Sequence, residues 1–364
     1  MYQWLKRKLE IAHGENTPLR AMEGLRGIAV FLVFWVHYSS LIEPWLLTNS
    51  AQVAHFIHSF GHLGVDLFFV LSGYLIYGSI IGKTTFAVGK YAQRRIQRIY
   101  PTFLVVFCIY LALSLLLPSQ SKLPAEPWQQ LLYIGQNLLL LPGIFDIDPI
   151  ITVAWSLSYE VFYYLLIPIV IFGCRLKSWS AQHRIYFWLV VAILGFIAGY
   201  IFAGPIRLLM FISGVLLYEL HSQQRWHFCK GGSRILLASL LGFATARAYG
   251  VDYVTCMAVI FVSFTILGLC AFNPDSHVSK WLTFTPLRWL GNMSYSYYLI
   301  HGLTLKFCFL ILPHFIPQTM PSDSLYYWLW LPCFICTLFS SFILFVCVER
   351  PMSLATRHSQ KTTN

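Results

Sequence analysis

The chain has 364 residues, of which 57% are hydrophobic and 11% charged, with a formal net charge of +11. An ordinary soluble domain carries about a quarter charged residues, so this composition excludes a single water-soluble core and points to lipid as the main solvent. The basic residues sit at the ends of apolar segments rather than on one polar face, which argues against nucleic acid as a partner and fits the flanks that orient spans in a bilayer.

In chain order, the first 24 residues are mixed and charged, with Lys6, Arg7, Lys8, Glu10, Arg20 and Glu23 and no apolar h-region. No cleavable signal peptide is expected there, and the first span itself directs insertion. A helical span needs about 20 mostly apolar residues. By that ruler about ten spans are predicted, at 25–43, 62–82, 99–117, 156–174, 185–203, 205–221, 234–250, 253–272, 289–312 and 326–348. A further segment, 128–145, is shorter and interrupted by Gly135, Gln136, Asn137 and Pro142.

Loop charge decides whether that segment crosses. If it does not, and the N-terminus is cytoplasmic, the basic loops 83–98, 175–184, 225–234 and 280–288 all lie inside, with Arg350, Arg357 and Lys361 of the tail. Counting it as a span would invert every later loop, so 128–145 is expected to be re-entrant or interfacial. The expected fold is all-α, a polytopic helix bundle in the cell inner (plasma) membrane with both termini cytoplasmic. Its organisation is a cytoplasmic segment 1–24, one membrane domain 25–349 and a tail 350–364. Eight of the nine cysteines lie in or beside apolar spans and read as small hydrophobes. The Cys333/Cys336 pair has no second pair, so no metal site is expected.

Ionisable residues inside hydrocarbon are costly and usually face a cavity or a partner. Arg26 and His37 are separated by almost three helical turns, about 16 Å of rise, on one face of the first span. Arg26 either snorkels to the interface or holds an anion, and His37 either caps a helix contact or accepts a proton. His62 and Asp66 share a face at the start of the second span, ahead of Ser72 and Gly73. Asp66 either orients a histidine or caps the helix. Arg94, Arg95 and Arg98 line one side of a helix beginning before Pro101. They serve either as positive-inside charge or as forked donors for phosphate. Trp155 and Ser156 open the fourth span, where Glu160 needs a partner such as His37 or an arginine. Ser294, Tyr298 and His301 share a late helical face, which either binds helices together or supports the site.

Taken together these pieces resemble the acyltransferase-3 family, which includes O-acetyltransferases of bacterial O-antigen and other surface glycans. The matching stretches are Glu23-Gly24-Leu25-Arg26-Gly27 with His37, Gly64-Val65-Asp66 through Ser72-Gly73, Arg95 with Arg98 and Pro101, Trp155-Ser156-Leu157-Ser158-Tyr159-Glu160, and Ser294 through His301. The resemblance runs from Glu23 to Pro351 and implies a ten-span fold, an acyl-coenzyme A co-substrate, usually acetyl, and no permanently bound cofactor. It implies that the Arg26/His37 pair is essential and that the later arginines lie near the donor. The expected catalytic residues are therefore His37, Glu160 and Asp66. Arg26, Arg94, Arg95 and Arg98 are expected on the donor, with His62, Ser72, Trp155, Ser156, Tyr298 and His301 in support. The expected acceptor is a glycan or lipid-linked glycan, such as lipopolysaccharide O-antigen. Some members carry an extra C-terminal hydrolase-like domain; with the chain ending about 15 residues after its last span, transfer is expected to be completed by the membrane domain or a separate partner. The rival expectations are a proton-coupled secondary transporter, which predicts an inverted repeat that is not seen, and an exporter of a glycan precursor. No motif specifies an oligomeric state.

Overall fold

The computed structural model describes residues 2–11, 17–223, 234, 237–243, 250–319 and 321–354. Fourteen helices are named along it: α1 Tyr2–Leu9, α2 Thr17–Ile42, α3 Thr48–Gly61, α4 Leu63–Ile81, α5 Val88–Leu116, α6 Pro127–Leu138, α7 Trp155–Gly173, α8 Ala181–Phe202, α9 Leu209–Ser222, α10 Tyr253–Phe272, α11 His277–Leu282, α12 Thr285–Asn292, α13 Ser294–Ile311 and α14 Asp323–Leu344. The last continues into a π-helical stretch, Phe345–Leu354. No β-strand occurs among the described residues, so the protein is an all-α membrane bundle.

Among the described residues, eight helical stretches are long and apolar enough to cross a bilayer: Pro18–Trp45, Thr48–Ile81, Val88–Leu116, Thr152–Gly173, Ala181–Phe202, Tyr253–Phe272, Ser294–His314 and Asp323–Leu354. They correspond to eight of the predicted spans. The predicted span 205–221 forms α9, which at 14 residues is shorter than the about 20 a span needs. Of the predicted span 234–250, residues 235, 236 and 244–249 lie outside the described residues, as do Cys229, the loop 225–233, Arg357 and Lys361. The interrupted segment forms α6, 12 residues long and too short to cross, with Trp128, Leu131 and Leu132 exposed. Asn137 ties it to the following loop by accepting from the Ile150 amide at 2.7 Å.

The helices gather into two compact units, one holding Met1–Phe31, His62–Phe86 and Phe162–Asn292, the other Leu32–Gly61, Ala87–Val161 and Met293–Asn364. In the first, α4 and α9 touch backbone to backbone. A Cβ at Gly73 would collide with the Phe211 carbonyl, and one at Gly214 with that of Val70. Small residues let helices approach where hydrophobic burial gives no drive between them. The same device seats α2 on the α11–α12 hairpin: Gly24 faces the Leu282 carbonyl, Gly27 that of Leu287, and Gly291 that of Glu23. Arg288 then donates to Glu23 at 2.7 Å and to Glu10, while Trp289 donates to Glu10 at 3.0 Å. Burial pushes the Glu10 carboxyl up, but the donors on Arg288 and Trp289 outweigh it and hold the group below its usual range.

In the second unit, α5 runs through Pro101 for 29 residues, about 43 Å against a hydrocarbon core of roughly 30 Å. The surplus turns carry its arginines out of the apolar layer. Hydroxyls join α13 to α14, Tyr297 to Thr337 at 2.9 Å and Thr304 to Ser340 at 2.8 Å. Tyr38 of α2 donates to the Tyr326 carbonyl at 2.8 Å.

Candidate active site

The second unit contains a cavity of about 100 Å³, lined by His37, Ser40, Leu41, Tyr110, Thr152, Val153, Leu299, Gly302 and Lys306. A cavity of this size admits a few waters or a small group. His37 is half-buried, and its ring meets that of His301 edge-on, centroids 5.0 Å apart at 62°. His301 is fully buried and stacks on Tyr297 at 5.1 Å. Its Nδ1 lies 2.9 Å from the carbonyls of both Tyr297 and Tyr298. Carbonyls only accept, so Nδ1 carries the proton and Nε2 presents a lone pair. That Nε2 is buried with no hydrogen-bond partner among the described residues.

Ser156 and Tyr298 support the wall rather than face the cavity. Their hydroxyls are 2.7 Å apart, and both reach the Val153 carbonyl at 3.2 Å. This fixes the turn that supplies Thr152 and Val153. The Thr152 hydroxyl is buried with no partner among the described residues, so it can meet a ligand. Trp155, at the start of α7, packs on Tyr159 at 5.6 Å. Its carbonyl lies against Gly143, whose φ of +90° needs a glycine.

The arginines at the start of α5 differ from one another. Arg98 donates to Glu349 at 2.6 Å, and the other oxygen of that carboxylate accepts from the Ser296 amide at 3.0 Å and hydroxyl at 2.6 Å. Its guanidinium also lies over Tyr295 at 5.2 Å. Arg98 therefore braces α5 against α13 and the π-helical stretch, a contact its spacing does not reveal. Arg95 lies over Tyr91 at 5.0 Å, and Glu160 acts electrostatically on the same tyrosine. Arg94 is exposed.

Arg26, His62, Asp66 and Ser72 belong to the first unit. Arg26 is on the same uninterrupted helix as His37. Asp66 is fully buried, 3.9 Å from Arg207, and neither carboxylate oxygen is hydrogen-bonded among the described residues, so it caps no helix. His62 and Ser72 are half-buried at the start and middle of α4. Sequence reasoning does not reach Tyr110, Thr152 or Lys306. For Lys306 the signal is present, since a lysine inside the predicted span 289–312 is itself an intramembrane charge.

The profile of the acyltransferase-3 family, described as an acyltransferase domain, matches residues 19–348. The chain belongs to that family. Among curated acyltransferase-3 relatives, the O-acetyltransferase OatA of Staphylococcus aureus (strain NCTC 8325 / PS 47) is 28% identical over 327 residues, covering 78% of this chain and 50% of its own. The acyltransferase MdmB of Streptomyces mycarofaciens is 25% identical over 325 residues, covering 79% of each chain. An uncharacterized protein of Haemophilus influenzae is 32% identical over 118 residues, 29% of this chain and 48% of its own. The chain spans about half the length of the OatA relatives that it matches. No solved structure matches it.

Proposed function

We propose that this acyltransferase-3 member is a membrane-bound O-acyltransferase that moves an acyl group, acetyl, from acyl-coenzyme A to a hydroxyl of a glycan or lipid-linked glycan. A surface polysaccharide such as lipopolysaccharide O-antigen is the class of acceptor, and the cell inner membrane, with both termini cytoplasmic, is the location. The observation that carries the reading is the cavity at His37, backed by a second histidine whose tautomer is fixed.

In this mechanism the acceptor hydroxyl gives its proton to His37 as its oxygen attacks the thioester carbonyl carbon. The C–O bond forms, the C–S bond breaks, and coenzyme A leaves as a thiolate that takes the proton back from His37. The Thr152 hydroxyl is placed to donate to the carbonyl oxygen as it becomes negative. Arg94 and Arg95, at the start of α5, hold phosphates of the donor from the cytoplasmic side. Glu160 sets the charge around Tyr91 and Arg95, and Arg98 keeps α5 in place through Glu349. Arg26 and Asp66 of the first unit carry no step here.

Mass spectrometry of envelope glycans from cells expressing the wild type, His37→Ala or neither protein tests the reading, with membrane levels matched. An added acyl mass that depends on His37 is expected. The same mass in both protein-expressing strains would remove His37 from the mechanism, and none in any strain would favour transport.

A further inference from the structure

Lys306 stands in the wall of the same cavity as His37, one and a half turns past His301 on α13. Among the described residues it meets no carboxylate and no hydrogen-bond acceptor. The groups that interact with it electrostatically are themselves basic: His37, and Lys122, which is fastened to the Pro149 carbonyl at 3.0 Å. Lys306 is exposed, so its ammonium is open to an incoming group, and basic neighbours with no acid beside them favour an anion there. A lysine near a span end can also stretch its ammonium to the interface. The cavity gives Lys306 a different neighbourhood, with the Thr152 hydroxyl buried and unpartnered in the same wall.

The distance along α5 separates this charge from the donor's phosphates. Tyr110 lines the cavity, and Arg95 lies on the same helix about 22 Å away along its axis. The thioester end of coenzyme A is uncharged, and its phosphates sit at the far end of the pantetheine arm. A negative group beside Lys306 therefore belongs to the other substrate.

We propose that Lys306 is an anion-binding subsite for the acceptor, so that the glycan acylated by this protein carries a carboxylate or phosphate on the acylated sugar or its immediate neighbour. This rests on the acyl-transfer reading above. One charged hydrogen bond fixes the acceptor beside His37 and selects acidic over neutral glycans.

The test uses whole cells expressing the full chain as wild type, Lys306→Met, Lys306→Arg or His37→Ala at matched membrane levels. Acylated glycan fragments are identified by tandem mass spectrometry, and the purified variants are compared by thermal unfolding. The expected product is an acidic fragment, lowered at least about tenfold in Lys306→Met, retained in Lys306→Arg and absent in His37→Ala, with unfolding temperatures unchanged. A neutral acylated fragment, or undiminished acylation in Lys306→Met, would overturn the subsite and leave acyl transfer standing. So would equal loss in Lys306→Met and Lys306→Arg with normal unfolding, since charge would then not be what matters. Absence of acylation in the wild type would overturn both proposals.

Discussion

Two backbone carbonyls determine what His301 can do. Because Tyr297 and Tyr298 both take hydrogen bonds from Nδ1, the imidazole is held in one tautomer and one orientation against His37. The expected role is positioning: His301 fixes the ring that moves the proton. His301→Phe keeps an aromatic of similar size but loses both nitrogens. It is expected to lower kcat for acetyl transfer by at least about tenfold, leaving the KM for acetyl-coenzyme A unchanged, as steady-state kinetics on purified protein would show. An unchanged kcat would make His301 a packing residue. Arg98 teaches the opposite lesson. Its spacing from Arg94 and Arg95 suits phosphate binding, yet its guanidinium is taken by Glu349 from the other end of the chain. Nothing local to the arginine motif shows that partner. Lys306 was visible as a charge within a span, but only folding places it beside His37.

At the scale of elements, apolar length carries most of the information. The long runs become helices because each backbone amide and carbonyl in lipid must be paired within its own segment. Loop charge separates the spans from α6, whose 12 residues are too few to cross. What hydropathy could not show are short or polar helices, such as α3 and α12, whose placement depends on what they pack against. Glycines at helix contacts belong to this scale. Gly24, Gly27 and Gly291 let α2 meet α11 and α12 through their backbones. A Cβ at Gly291 would strike the Glu23 carbonyl, whereas one at Gly173 meets nothing within 4 Å. Gly291→Ala is therefore expected to destabilise the protein by about 1–3 kcal/mol, and Gly173→Ala to leave it unchanged. Thermal unfolding in detergent distinguishes them; equal midpoints would mean that the interface yields without cost.

At the scale of the whole molecule, the resemblance read from five short motifs and the family match over residues 19–348 agree. The motifs nevertheless do different physical work. The glycines of Glu23-Gly24-Leu25-Arg26-Gly27 pack helices, Arg98 braces α5, Ser156 and Tyr298 hold a turn, and His37 and His301 face one another. Within these stretches His37 and Leu299 line the cavity and His301 backs His37, so packing residues and candidate site residues are interleaved along the same sequence. The proposed mechanism makes His37 the base on which acyl transfer depends. Its most direct test is release of free coenzyme A thiol from acetyl-coenzyme A supplied to inverted membrane vesicles containing the wild type or His37→Ala at equal levels. Thiol release and labelled acetyl on the vesicle glycan are expected with the wild type, and a fall of at least about a hundredfold in both without His37. Equal release and equal labelling in the two preparations would contradict it.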